Sequence, residues 1–259
     1  MDLLKKYGIK EVADVVFYSL NKDGEADKPV LYLDSLKVST IEQTAENVSA
    51  RGGKGNAELI TWDYNKEINL TLEDALYSMK SLGIMFGDDN TSDKTDKQLY
   101  KTIVVNLPVN TTISDTALSG YFKDAVKVDG LTFSGIEVYD DKGNKIETST
   151  TPSITKAGDY FLSAKISGGE IRGTVEISAD TFPGQYRIQG DTYGRREADG
   201  EDELFIFIIN KAKVLSEVTI TLEAEGDPST FNMPIKVLKP SNGKPMMELI
   251  QYGTETKNQ

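Results

Sequence analysis

The chain reads as a mainly β protein, an antiparallel β-barrel or sandwich with one flanking α-helix and a β-rich insertion. Short runs in which apolar and polar residues alternate recur along almost its whole length. Each is bounded by Asn, Asp, Gly or Ser, as half-buried strands and their turns require. Helical spacing with a capping signal is read at one place, about residues 72–86. Between residues 100 and 180 the texture changes to short strand-like runs set among Thr, Ser, Asp and Gly. That change predicts an elaboration inserted into a β core made of residues 1–99 and 181–259.

Taken in order, residues 1–13 alternate too briefly to assign and read as an arm that orders on contact. Val15 to Tyr18 open the first strand, Asn21-Lys22-Asp23-Gly24 turn it, and Val30 to Val38 form the second. The loop Ala50 to Asn56 combines Gly52, Gly53 and Gly55 with Arg51 and Lys54, so its backbone can take positive φ and has little apolar surface to hold it down. Leu59, Ile60 and Trp62, then Ile68, Leu70 and Leu72, predict a hairpin turning at Asp63-Tyr64-Asn65-Lys66. Thr71 is the expected N-cap of the helix, with Glu73 and Asp74 in its first turn and Gly87 at its end. Asp88 to Lys97 reads as a surface loop and a candidate boundary.

In the middle stretch, strands are expected at 102–107, 131–139, 160–166 and 171–177, with a tight hairpin at Asp140 to Asn144 and an exposed loop from Thr148 to Thr155. The last quarter is patterned most clearly. Tyr186 to Tyr193 predicts a strand, Glu197 to Glu203 an acidic turn, and Leu204 to Ile209 a run apolar enough to be buried on both faces. Val218, Ile220 and Leu222 alternate with Glu217, Thr219, Thr221 and Glu223. Phe231, Met233, Ile235 and Val237 form another alternating strand, with Pro234 on the opposite phase at an edge or bulge. Met246 to Tyr252 adds a final strand before a loose tail.

Composition narrows the function. The 259 residues include no cysteine and no histidine, which removes disulfides, thiolate chemistry, His-dependent triads and the commonest metal ligand. A net charge of −12 disfavours a protein that grips nucleic acid or anionic lipid, while an acidic surface suits DNA that must pass without sticking. The N-terminal residues lack a signal peptide's apolar core, and no run approaches a membrane span, so synthesis and assembly in a cytoplasm are expected.

Few residues suggest chemistry. Gly52-Gly53-Lys54-Gly55 fits neither phosphate-loop pattern, and no acidic cluster has the spacing of a calcium loop, so no cofactor or metal is expected. Arg51, Gly52, Gly53, Lys54, Gly55 and Asn56 read instead as a loop that inserts against a neighbouring subunit of an acidic protein. Trp62, the single tryptophan, reads as a core or interface anchor. Glu217, Thr219, Thr221 and Glu223 line one strand face that meets either solvent or an assembled pore.

Three stretches together resemble the tail tube proteins of tailed bacteriophages. They run from Lys37-Val38-Ser39 through Arg51-Gly52-Gly53-Lys54-Gly55-Asn56-Ala57, from Ile60-Thr61-Trp62-Asp63-Tyr64 into Leu72-Glu73-Asp74-Ala75-Leu76, and from Phe182-Pro183-Gly184 to Gly226-Asp227-Pro228. The resemblance implies a virion structural protein, six copies to a ring and rings stacked into a tube. A long loop or hairpin would reach the next subunit, and DNA would slide down an acidic lumen without specific binding. It makes Glu217, Thr219, Thr221 and Glu223 the first lumen candidates, with Glu67 and Asn69 second. Implied partners are other copies of the chain, a tape-measure protein, terminator or baseplate proteins, and a sheath if the tail contracts. The rival readings are a decoration or baseplate component and an exported carbohydrate-binding β-sandwich, which would need a signal peptide and an aromatic cleft.

Overall fold

A computed structural model of the chain describes residues 6–88, 97–147, 153–220 and 229–253. The chain divides into two compact units, Met1–Thr91 with Val175–Gln259, and Ser92–Thr174.

The first unit opens with β1 (Tyr7–Ile9), β2 (Asp14–Leu20), β3 (Ala26–Leu33), β4 (Leu36–Gly52), β5 (Ala57–Asp74) and the helix α1 (Met79–Phe86). The second unit supplies β6 (Tyr100–Leu107), α2 (Asp115–Ala125), β7 (Thr132–Tyr139), β8 (Lys145–Ile146) and β9 (Gly158–Ser167). The chain then returns to the first unit with β10 (Gln185–Arg196), β11 (Asp202–Val214), β12 (Phe231–Val237) and β13 (Met247–Tyr252).

In the first unit nine strands form one sheet, ordered β3-β2-β10-β11-β12-β5-β4, with β1 beside β10 and β13 beside β11. Every pairing is antiparallel. Phe17 and Leu31 near one end of that order share a single core with Leu70, Leu72 and Met233 near the other, so the sheet folds over on itself like a sandwich without closing into a barrel. Odd positions of β2 and even positions of β10 face that core, because strand side chains alternate. Gly190 is there for close approach, since a Cβ on it would stand 2.2 Å from the ring of Phe207. α1 closes one end of the core with Ile84 and Met85.

The second unit is a four-stranded sheet, β6-β9-β7-β8, with α2 on one face. Its own core includes Leu118 and Phe122 of α2, and Phe122 stacks on Phe133 of β7 with centroids 5.1 Å apart. Asp115, in the first turn of α2, receives hydrogen bonds from the N–H groups of Gly135 and Ile136, both at 2.8 Å, where β7 bulges against β9.

Several expectations are corrected. The helix begins at Met79, capped by Ser78 in a reciprocal box with Ser81, because Thr71 to Asp74 belong to β5 and pair with β12 and β4. A second helix, α2, lies in the stretch read as strands alone. The run Val30 to Val38 is broken at Asp34-Ser35 into β3 and the start of β4. Residues 171–177 form no strand; both edges of β9, which precedes them, are already taken by β6 and β7. Residues 217–220 are likewise irregular: the β11–β12 ladder stops at Val214 opposite Ile235, and the next residue of β12, Pro234, has no N–H to extend it. Most of the expected loops at 88–97 and 148–155 and of the tail after Gly253 lies outside the described residues.

Candidate assembly interface

The predicted turn at Asp63 to Lys66 is absent, and this reorganises the candidate site. β5 runs through it for 18 residues, paired with β4 from Leu36 opposite Asp74 to Gly52 opposite Ala57. The glycine-rich loop is the tip of this hairpin, where Gly53, Gly55 and Asn56 all take positive φ. β12 accompanies β5 only from Asn69 to Asp74. Beyond Ile68 the two strands pair with each other alone, and at ~3.3 Å per residue the ten residues Ala57 to Lys66 project about 30 Å.

Asn65 sets the chemistry of this arm. Its φ of 49° lies in the left-handed region, and here the register slips: Thr44 faces Glu67 but Glu46 faces Tyr64. The extra residue is a β-bulge, and it exchanges the two faces of β5. At the root, Ile68, Leu70 and Leu72 face the core, and Glu67, Asn69 and Thr71 face away. Past the bulge the outward face carries Tyr64 with Glu46, Trp62 with Val48 and Ile60 with Ala50.

The arm is therefore amphipathic with both faces in solvent. Val48, Ile60, Trp62 and Tyr64 form an exposed apolar stripe, with Trp62 52% exposed. On the opposite face the Ser49 and Thr61 hydroxyls share a 3.2 Å hydrogen bond, and Arg51 Nη2 reaches Glu58 Oε2 at 3.1 Å. Hydrogen bonds from Thr61, then Ser49, hold the Glu58 carboxyl below its ordinary 4.5. A lone two-stranded ribbon is marginal in water, and a stripe of this kind is characteristic of a surface that meets a partner.

The other singled-out residues are scattered. Arg51, Gly52, Gly53, Lys54, Gly55 and Asn56 sit at the arm's tip and Trp62 in its apolar stripe, so the two groups belong to one element. Glu67 and Asn69 lie on the polar outward face at the root, where Lys236 Nζ meets Glu67 Oε1 at 2.7 Å and offsets its charge. Glu217 and Thr219 are exposed on irregular chain, and Thr221 and Glu223 fall outside the described residues. Val48 and Tyr64 were missed, although their alternation with polar neighbours was readable once the strand was known to continue. Among the described residues no group of three or more acidic side chains is placed to hold a metal.

An open antiparallel sheet extended by an amphipathic ribbon defines a class, the β-sheet structural subunit with a projecting arm. The chain belongs to the YomU/Tube protein family, whose model matches residues 7–249. It is also similar to a tail tube protein of Bacillus phage SPR, 24% identical over 188 residues, which is 70% of this chain. The match spans 64% of that relative, so the chain covers less than two thirds of its length. The resemblance to phage tail tube proteins drawn from the residues is met by both matches.

Proposed function

We propose that the chain is the tail tube subunit of a tailed bacteriophage, joining copies of itself into stacked six-membered rings that form a passage for DNA. The observation that carries this reading is the arm's solvent-facing stripe of Val48, Ile60, Trp62 and Tyr64, which a second subunit would bury. Family membership and the SPR relative support the same assignment. The net charge of −12 suits a wall past which DNA slides. Glu217 and Thr219, with Thr221 and Glu223, and then Glu67 and Asn69, are the residues we assign to the lumen; pairing with Lys236 makes Glu67 the weaker of these. The protein's place is the virion tail, after assembly in the host cytoplasm. A tape-measure protein inside, terminator and baseplate proteins at the ends and a sheath in a contractile tail are its partners. In sedimentation, Trp62→Asp should leave a folded monomer that no longer polymerises; polymers indistinguishable from wild type would remove the arm from the joint.

A further inference from the structure

β11 is apolar on both faces, and only one face belongs to a core. Phe207 and Ile209 are buried in it, whereas Leu204, Ile206 and Ile208 point to the other side of the sheet and stay partly exposed. This corrects the expectation that Leu204 to Ile209 is buried on both sides within the chain. Neighbouring strands extend the uncovered face, with Tyr252 and Tyr193 on either side of Leu204 and Ile250 beside Ile206. Tyr193 and Tyr252 are 54% and 69% exposed. Further across the same face, Asp191 of β10 stands directly opposite Asp14 of β2. A like-charged cross-strand pair is unfavourable until a cation joins it. The Tyr32 hydroxyl donates to Asp14 at 3.2 Å, and that bond, followed by burial and the charges of Asp14, Asp34 and Asp191, raises the phenol's pKa.

We propose that this outer face of β10, β11 and β13 is the seat for the arm of a second copy of the chain. The inference rests on the arm-mediated association proposed above and supplies its missing half. The arm's stripe and this face match in chemistry, aromatic and aliphatic on both sides. They also match in charge, because the tip brings Lys54 toward the Asp14–Asp191 pair. The dimensions agree as well. From β13 to β2 is three strand spacings, about 14 Å, and from Ile60 to the arm's tip is a similar length. An arm crossing the strands steeply, in the manner of orthogonally packed sheets, thus sets Ile60 and Trp62 over Ile206 and Ile250 with Lys54 over the acidic pair. Such a contact joins two different surfaces, so it propagates from subunit to subunit instead of closing a dimer.

Complementation tests this. One variant carries Trp62→Asp with Ile60→Asp on the arm; the other carries Tyr193→Asp with Tyr252→Asp at the exposed rim of the seat, where folding is least at risk. A third, Ile206→Asp, repeats the second at the centre of the seat, and circular dichroism checks the fold of each. At a concentration where the wild type polymerises, each variant alone should sediment as a monomer. The arm and seat variants mixed equally should give a 1:1 complex that does not elongate, since one sound arm meets one sound seat. If both seat variants polymerise unaided, or the mixture stays monomeric, the seat lies elsewhere. If the arm variant polymerises, the arm-mediated reading falls and the seat with it.

Discussion

Arg196 and Glu203 show how single residues hold the far end of the large sheet. Their side chains are 6% and 10% exposed and form an ion pair on the core side of the β10–β11 turn, with Asp199 on Arg196 at 2.6 Å. Gln251 of β13 donates to Glu203 at 3.2 Å and Tyr7 of β1 acts on the same carboxylate, so one charge cluster ties two short outer strands to the hairpin. The hydrogen bond from Arg196 holds the Glu203 carboxyl below its ordinary 4.5. A depressed carboxylate stabilises the fold above that ordinary value and loses its contribution as pH falls through the folded one. Glu203→Gln should therefore lower Tm at pH 7, and the difference from wild type should shrink on acidification; thermal melts at several pH values check both. Gly190 makes a separate prediction. Its replacement by Ala forces a methyl into the Phe207 ring and should cost about 1–3 kcal/mol in denaturant titrations, partly recovered by Phe207→Leu in the same chain.

At the scale of elements, the bulge at Asn65 explains both what the sequence revealed and what it concealed. Ile60, Trp62, Ile68, Leu70 and Leu72 all fall on even positions, so alternation alone predicts one continuous apolar face. The polar Asp63-Tyr64-Asn65-Lys66 between them reads as a turn, because a bulge and a turn call on the same residues. Only the register with β4 separates the two. Removing the bulge is accordingly informative: inserting one residue after Ala45, so that β4 matches β5 residue for residue, should leave the sheet folded by circular dichroism but rotate Ile60, Trp62 and Tyr64 to the core side of the arm and abolish polymerisation. β10 and β12 were legible because their burial alternates along the strand, whereas the run from Glu217 to Ile220 alternates as clearly and forms no strand. α2 was not read, although Ser114, Asp115, Leu118 and Phe122 carry a cap and an i, i+4 pair, since the surrounding Thr and Gly suggested strands. The shorter reach of α1 was hidden because Leu72, Ala75, Leu76 and Met79 have helical spacing while β12 and β4 claim Leu72 for the sheet.

For the molecule as a whole, the two units have separate cores, which predicts separate folding. Residues 92–174 expressed alone should unfold in one cooperative transition in urea. A chain in which a short Gly-Ser linker replaces them should still polymerise; loss of polymerisation there would give the second unit a share in the joint. The lumen assignment predicts a functional change without a structural one. Glu217→Lys with Glu223→Lys should assemble normally and slow DNA ejection, most strongly at low ionic strength, where lysines held against phosphate release counterions. Above a Debye length of about 8 Å the effect fades, so ejection at high salt should approach the wild-type rate.

The central claim is that this subunit completes itself on other copies through the arm. Electron microscopy of the concentrated, purified chain beside its Trp62→Asp variant tests that most directly. Rings or tubes in the wild type, with the Val48, Ile60, Trp62 and Tyr64 face buried against a neighbour and only single particles in the variant, are the predicted result. Wild-type protein that stays as single particles at every concentration, or tubes in which that face remains in solvent, would contradict it.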